Sequence, residues 1–370
     1  MLRIGIVGLP NAGKSTLFNA LTRAGAQVAS YPFTTIDPNV GVVEVPDERL
    51  KVIAGIIKPE KVTPATIEFV DIAGLVKGAS RGEGLGNRFL AHIREVDAIA
   101  HVVRCFSNQD VPHVAGAPDP VRDIETVNLE LILSDLETVE KRLERTSRML
   151  KSGERGYREE MELLMRLKDA LNAGKPARLV EVTGEEPGRL EGLFLLTMKP
   201  VIYVANIDED EIGNAYDSSA VRAIRSYVQS LGEDAPVIPV SARVEAEVAE
   251  LAESNPSEAR EYLDMMGLAE SGLNRLVKTA YKSLKLITFF TTKGIEARAW
   301  TVRQGATAPQ AAGKVHSDME RGFIKAEVVS YEDLVRAGSM GAAREEGLVR
   351  TEGKEYVVQD GDIILFRFNV

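Results

Sequence analysis

The sequence has little cysteine, no excess of positive charge and no long apolar run. Its 370 residues include a single cysteine, Cys105, which excludes an internal disulfide and favours a reducing compartment. There are 45 Lys and Arg against 55 Asp and Glu, a net charge of −10, which argues against a generally basic surface for nucleic acid. No apolar run approaches the roughly 20 residues of a membrane span, and the first residues lack a secretion signal. We expect a cytoplasmic protein with no membrane partner.

Most of the chain alternates short β-rich runs with helical runs. This alternation predicts an α/β domain with a mainly parallel sheet covered by helices. The second and third predicted strands could pair antiparallel, because no clear helix connects them. The predicted strands are Leu2–Val7, Val40–Val45, Thr66–Asp71, Ala98–Cys105, Pro200–Asn206 and Val237–Ser241.

A helical segment interrupts this series between about residues 120 and 198. A heptad stripe followed by a short break at 152–156 and a second helical run, Tyr157–Ala173, predicts an inserted antiparallel hairpin. A projecting coiled coil and a helical elaboration packed on the domain are both open; the narrow stripe and charged other faces favour the coiled coil. The stripe consists of Leu129, Ile132, Leu136, Val139, Leu143, Thr146 and Leu150.

The chain changes character again after Leu284. Short predicted strands and one helix follow within fewer than 90 residues, which is typical of a small α+β domain. We therefore expect a nucleotide-binding domain over residues 1–283, with the insertion, and a second domain over 284–370. The predicted elements are strands at Ile287–Thr291, Ala297–Thr301, Ala326–Val329, Glu355–Val358 and Ile363–Phe368, and a helix at Ala308–Met319.

Residues 8–16 read Gly-Leu-Pro-Asn-Ala-Gly-Lys-Ser-Thr and match the phosphate-binding pattern Gly-x4-Gly-Lys-Ser. The run follows a predicted strand and opens a predicted helix, which is the context that the motif requires. Gly8 and Gly13 permit a tight loop whose N–H groups face phosphate oxygens, and the helix N-terminus adds partial positive charge. Lys14 is the predicted catalytic contact to the β- and γ-phosphates, and Ser15 the predicted Mg²⁺ ligand. The other predicted nucleotide contacts of the loop are Asn11, Ala12 and Thr16.

Two further segments have the order expected of a nucleotide switch. A threonine in Tyr31–Thr35 could close over the γ-phosphate and complete the Mg²⁺ shell. Asp71 ends a predicted strand near the metal, and the Gly74 N–H could sense the γ-phosphate. Glycines crowd the stretch that follows, which predicts a segment built to move. These glycines are Gly78, Gly82, Gly84 and Gly86.

Base recognition is predicted at residues 206–209, which read Asn-Ile-Asp-Glu after a buried strand. GTP-binding switches use Asn-Lys-x-Asp there, and the final Asp accepts from two guanine donors. Glu209 is longer and cannot occupy that position without a backbone shift, although Asp208 or Glu209 could still serve guanine after a small adjustment. Asn206 and Glu209 are the predicted base contacts, and Ser241 and Ala242 match the loop that backs the base.

These motifs together resemble the YchF family, the Obg-like ATPases. The resemblance rests on GLPNAGKST, YPFTTIDPN, DIAGLVKGASRGEGLGN and AHVVRCF, and it covers the whole chain. It implies a Ras-like, Obg-type P-loop NTPase domain with an inserted antiparallel coiled coil and a C-terminal β-grasp (TGS) domain. It also implies a preference for ATP over GTP, association with the ribosome or its large subunit, and Thr35, rather than Thr34, as the metal ligand. We expect a monomer that contacts the ribosome through the insertion and the TGS domain.

The sequence offers more than one candidate for the group that activates the attacking water. Ras-like switches orient the attacking water with a glutamine, and here that position is Leu75. His113 lies in a loop on the sheet edge where ligands bind and could replace the glutamine, or it could be an ordinary solvated loop residue. Asn11 matches an asparagine that holds K⁺ in similar potassium-activated switches, or it could stabilise the loop through its own hydrogen bonds. We expect slow intrinsic turnover.

The sequence is therefore consistent with three functions. The first is a ribosome-associated ATPase switch, the second is an Obg-type GTPase with a relaxed base motif, and the third is a regulatory binding protein with incidental hydrolysis.

Overall fold

The computed structural model describes residues 2–25, 39–72, 85–107, 118–149, 155–292 and 295–369. Several predicted functional residues lie outside these ranges, so their roles stay predictions. No helix in the described ranges is both long enough and apolar enough to cross a membrane. The predicted residues outside the ranges are Thr34, Thr35, Gly74, Leu75, Gly78, Gly82, Gly84, His113 and Leu150.

The described strands form two six-stranded sheets, with orders β2-β4-β1-β5-β6-β7 and β11-β10-β12-β8-β9-β3. They are β1 (Arg3–Val7), β2 (Asn39–Glu44), β3 (Lys61–Thr63), β4 (Thr66–Asp71), β5 (Ala98–Arg104), β6 (Val201–Asn206), β7 (Val237–Val240), β8 (Leu286–Thr291), β9 (Glu296–Arg303), β10 (Phe323–Val329), β11 (Arg350–Glu352) and β12 (Ile363–Phe368).

The described helices follow most of the predicted helical runs and add several shorter ones. They are α1 (Lys14–Gly25), α2 (Glu48–Ile57), α3 (Leu85–Glu95), α4 (Pro120–Met149), α5 (Arg155–Asn172), α6 (Glu186–Leu190), α7 (Ser219–Ser230), α8 (Ala242–Ser254), α9 (Pro256–Met265), α10 (Gly272–Ser283), α11 (Ala308–Val315), α12 (Ser317–Arg321), α13 (Tyr331–Ala337) and α14 (Met340–Glu345).

The first sheet is parallel through its centre. Strand β1 pairs in parallel with β4 on one side and β5 on the other, and β5, β6 and β7 continue in parallel. Strands β5 and β6 are buried along their whole length, as expected of a sheet with helices on both faces. Because the strand order departs in both directions from β1, the carboxyl ends around β1 form the crevice where ligands of such sheets bind.

The insertion is an antiparallel helix pair. Glu140 pairs with Lys168 at 2.8 Å, whereas Thr146 Oγ1 donates to Glu160 Oε2 at 3.3 Å, so later residues of α4 meet earlier residues of α5. The heptad prediction is wrong at Leu129, which is exposed. Four of the other described stripe positions pack in one apolar core with α5, and Thr146 is buried beside Glu160. This core includes Ile132, Leu136, Val139, Leu143, Leu163, Leu164, Leu167 and Leu171.

The chain forms two compact units, and their division differs from the sequence-based one in two respects: segment 44–67 belongs to the second unit, and the later boundary follows Leu276 rather than residue 283. The first unit comprises Met1–Val43 and Glu68–Leu276; the second comprises Glu44–Ile67 and Val277–Val370. The segment 44–67 contains α2, a helix that the sequence analysis did not identify. Within the second unit, β3 adds to β9 in parallel.

The second sheet has the mixed pairing of a β-grasp fold. Strands β8 and β9 form an antiparallel hairpin, β12 pairs in parallel with β8, and β10 pairs antiparallel with β12 and β11. The predicted strand at Glu355–Val358 is wrong. A turn follows Arg350–Glu352, and it is this earlier segment that aligns with β10, whereas Val357 forms an isolated bridge to Thr307.

Arg49 of α2 is the main polar anchor of this segment. Its guanidinium makes two hydrogen bonds to Asp360, at 2.8 and 3.2 Å, and lies 5.5 Å from the centroid of the Phe290 ring. It also bonds Asp47, which caps the N-terminus of α2. We expect Arg49→Ala to destabilise the second unit by about 1–2 kcal/mol.

Trp300, the only tryptophan of the chain, lies in β9, so the fluorescence of tryptophan during urea unfolding reports on the second unit. The matched control is Lys51→Ala, an exposed residue of the same helix paired with Glu48. Equal urea midpoints for the wild type, Arg49→Ala and Lys51→Ala would contradict this role of Arg49.

Candidate nucleotide-binding site

The loop between β1 and α1 has the backbone geometry of a phosphate-binding loop. Gly8 and Gly13 adopt φ values of 151° and 95°, which side-chain-bearing residues rarely adopt. A Cβ atom at Gly8 would collide with the Val102 carbonyl, and one at Gly13 would collide with the Asn206 amide. Both glycines are therefore required by close approach as well as by φ.

Lys14 directs its charge into this loop. Its side chain is buried, 7% exposed, and Nζ donates to the Leu9 carbonyl at 2.8 Å. Burial lowers the pKa of Lys14, and the nearby Asp71 carboxylate partly offsets this shift. An ammonium group has three donors, so Nζ can donate to phosphate oxygens in addition to the Leu9 carbonyl.

Ser15 and Asp71 bring two oxygens together beside the loop. Ser15 Oγ donates to Asp71 Oδ2 at 3.4 Å. Burial raises the pKa of Asp71, while Lys14 and the Ser15 hydroxyl act in the opposite direction. Hydroxyl and carboxylate oxygens are the ligands that Mg²⁺ prefers, and it binds proteins through few of them. In the described ranges no group of three His, Cys, Asp or Glu side chains could hold a metal ion.

Asn206 connects the phosphate loop to the loop after β7. It is buried, its Nδ2 donates to the Ala12 carbonyl at 2.9 Å, and its Oδ1 accepts from the Ala242 N–H at 3.0 Å. The predicted base-backing residues Ser241 and Ala242 are thus brought to the phosphate loop. Ser241 is also buried, at the start of α8.

The two carboxylates after Asn206 have different partners. Asp208 Oδ2 accepts from the Ser107 N–H at 2.9 Å and so holds the loop that follows β5. Glu209 is exposed, and its Oε1 lies 3.3 Å from Nη1 of Arg243. Ile207, which replaces the lysine of the guanine motif, is buried in the apolar core. The sequence analysis did not identify Arg243, although it directly follows Ser241 and Ala242.

The remaining predicted contacts of the phosphate loop are more exposed. Asn11 is exposed and has a left-handed backbone, with φ 63°. Asparagine adopts this conformation more readily than most residues, so the loop geometry accounts for an asparagine at this position. Thr16 is exposed on the first turn of α1.

Two protein-family models match this chain. A model described as "50S ribosome-binding GTPase" matches residues 3–144. A model of the YchF GTPase C-terminal domain, described as a protein of unknown function, matches residues 286–369.

Full-length relatives are similar over the whole chain. The "Ribosome-binding ATPase YchF" of Bacillus subtilis is 56% identical and covers all of both chains. The protein of the same description from Escherichia coli O157:H7 is 48% identical, over 100% of this chain and 99% of its own. A solved structure titled as the Schizosaccharomyces pombe YchF GTPase superposes with a TM-score of 0.86 at 38% identity, over 99% of this chain and 97% of that chain. With the phosphate loop, the helical insertion and the β-grasp unit in place, these similarities mean that the chain belongs to the YchF family.

Proposed function

We propose that this protein is a P-loop switch that binds and hydrolyses ATP and associates with the ribosome. The observation that carries the nucleotide part is the Asn206 side chain, which ties the phosphate loop to a base-binding region where glutamate replaces aspartate. ATPase activity and ribosome binding are taken from the names of the full-length relatives. The protein would act in the cytoplasm as a monomer.

The phosphate chain of ATP would bind across residues 8–16. The loop N–H groups and the N-terminus of α1 complement the negative charge, and Lys14 provides a cation that is already desolvated. Ser15 and Asp71 fit Mg²⁺ by the chemistry and convergence of their oxygens, with Thr35 as a further proposed ligand. When bound, Mg²⁺ neutralises charge that develops on the phosphates. We further propose that K⁺ binds beside Asn11 and promotes hydrolysis, which is tested by comparing turnover in KCl and NaCl.

The proposed ribosome contacts lie on the helical insertion and on the β-grasp unit. The insertion carries charged side chains on both helices, including Lys141 and Lys168, each paired with a glutamate of the same hairpin. Contacts of such charged side chains with RNA or protein would weaken as the salt concentration rises. Cosedimentation with large ribosomal subunits at increasing KCl tests this part of the proposal.

Turnover measurements separate the three functions. Purified protein is incubated with ATP or GTP, with and without ribosomes. Preferential hydrolysis of ATP supports the ATPase, and preferential hydrolysis of GTP supports the Obg-type GTPase. Nucleotide-dependent ribosome binding with no stimulated hydrolysis of either nucleotide supports the regulatory binding protein.

Base choice can be tested at Glu209. Glu209→Asp shortens the side chain, withdraws it from Arg243 and restores the aspartate that accepts from two guanine donors. We expect the ratio of the Kd for GTP to the Kd for ATP to fall about tenfold, because the restored aspartate would accept from guanine donors that are otherwise left without a protein partner. The measurement is isothermal titration with each nucleotide.

Two comparisons make this test specific. Asp210→Glu alters the exposed neighbouring carboxylate and should leave the ratio unchanged. Ile207→Lys would complete the guanine motif but places a charge where the structure has a buried apolar side chain, so its folding must be checked first. An unaltered ratio in Glu209→Asp would contradict the proposed role of Glu209.

A further inference from the structure

Arg243 stands beside the residue that would read the base. It is the second residue of α8, directly after Ala242, whose N–H is bonded to Asn206. Its Nη1 lies 3.3 Å from Glu209 Oε1, while about half of the Glu209 side chain stays exposed. The last residue of the base motif therefore presents a carboxylate that is already paired with a guanidinium.

A second carboxylate, that of Glu247, also pairs with Arg243. Nε of Arg243 lies 3.5 Å from Glu247 Oε1, one helical turn further along α8. Glu247 Oε2 in turn accepts a hydrogen bond of 2.6 Å from the Tyr262 hydroxyl of α9. This bond to Glu247, with a smaller effect of burial, raises the pKa of Tyr262 to about 12. Tyr262, Glu247, Arg243 and Glu209 thus form one continuous polar chain.

The two purines differ at the atom that a carboxylate in this motif addresses. Guanine carries a proton on N1 and an amino group on C2, both donors, which suit a carboxylate. Adenine has an unprotonated N1, an acceptor, and no amino group on C2. A carboxylate facing adenine N1 places acceptor against acceptor, whereas a guanidinium, which has only donors, is complementary to it. Replacing aspartate by glutamate therefore weakens guanine binding but does not by itself favour adenine.

We propose that Arg243 is a specificity-determining residue that donates a hydrogen bond to N1 of adenine and opposes the N1–H of guanine. Glu209 and Glu247 hold the guanidinium at the base edge. This proposal rests on the proposed function, namely that the chain binds ATP at residues 8–16, and it assigns to Arg243 the positive selection of adenine.

The test removes N1 of adenine from the ligand and the Arg243 side chain from the protein, separately and together. Kd values are measured for ATP, GTP and 1-deaza-ATP, in which a C–H group replaces N1, on the wild type and on Arg243→Ala. For the wild type we expect 1-deaza-ATP to bind about three- to tenfold more weakly than ATP, the range for a partly exposed charge-assisted hydrogen bond. In Arg243→Ala the two should bind equally, and the ratio of the Kd for GTP to that for ATP should fall by a similar factor.

Control variants separate this effect from a general loss of structure. Arg260→Ala removes another exposed arginine, which pairs with Asp264 on α9, and should leave every ratio as in the wild type. Binding of inorganic tripolyphosphate should be the same for the wild type and both variants, because it depends on the phosphate loop. Arg243→Lys keeps a donor and should retain part of the discrimination.

The outcomes distinguish this inference from the proposed function. Failure of the wild type to bind ATP would contradict the proposed function itself. Tight ATP binding with equal affinity for 1-deaza-ATP would overturn the role of Arg243 and leave the proposed function intact. The same holds if Arg243→Ala leaves the Kd ratios unchanged.

Discussion

Lys14→Ala is expected to abolish ATP hydrolysis, with turnover lower by at least about a hundredfold, and to weaken triphosphate binding. Lys14 is the buried cation of the phosphate loop, and its Nζ lies 2.8 Å from the Leu9 carbonyl, so Lys14→Ala removes the positive charge that would contact the β- and γ-phosphates. The measurement is single-turnover hydrolysis at saturating ATP, with Kd values for ATP and ADP determined separately.

The burial of Lys14 also predicts a pH dependence. Because burial lowers the pKa of Lys14, its ammonium loses its proton at a lower pH than an exposed lysine would. ATP affinity should therefore decrease as the pH rises into the alkaline range, and the affinity of Lys14→Ala should not show this decrease. Lys51→Ala is the control for removal of an exposed lysine. Wild-type turnover in Lys14→Ala would contradict the assignment of the phosphate loop.

His113→Ala is expected to lower turnover by about a hundredfold or more while ATP affinity stays nearly unchanged, because a positioned base or orienting group contributes 10²–10⁴-fold. Leu75 cannot polarise water, and His113 follows β5 in sequence, whose carboxyl end lies beside the phosphate loop. The hypothesis comes from the sequence, and both residues lie outside the described ranges.

The comparison is kcat at saturating ATP and K⁺, with and without ribosomes, for the wild type, His113→Ala and His316→Ala. His316 is an exposed histidine of the second unit and serves as the control. Unchanged turnover of His113→Ala in every condition would dismiss His113. The source of catalysis would then be K⁺ beside Asn11 or a residue of the partner.

The nucleotide site could be predicted from the sequence where the motif is local. Gly8, Gly13 and Lys14 are set by a loop of nine residues, and the structure gives both glycines the backbone that the motif requires. Ser15 and Asp71 are distant in sequence, and the parallel pairing of β1 with β4 brings them together; the sequence analysis placed Asp71 near the metal from the order of the motifs alone. Most strands and helix starts could also be predicted, because each depends on a pattern of neighbouring residues.

The residues missed by the sequence analysis depend on contacts that have no local pattern. Arg243 is an ordinary charged residue until the Asn206 side chain draws α8 to the base motif. The sequence analysis predicts no helix between the second and third strands, and the pairing of β3 with β9, which joins residues more than 230 positions apart, has no local pattern. Asp208 likewise has a role that the sequence does not reveal: its carboxylate accepts from the N–H of Ser107, which is 101 positions away in the chain.

Competition between ATP and GTP tests the central claim most directly. A fluorescent ATP analogue is bound to the purified full-length chain in Mg²⁺, and unlabelled ATP or GTP displaces it. The account predicts displacement by ATP at a concentration at least about tenfold lower than that needed for GTP, since Glu209 is paired with Arg243 and guanine donors are left unpaired. Equal displacement by both nucleotides, or stronger displacement by GTP, would contradict it.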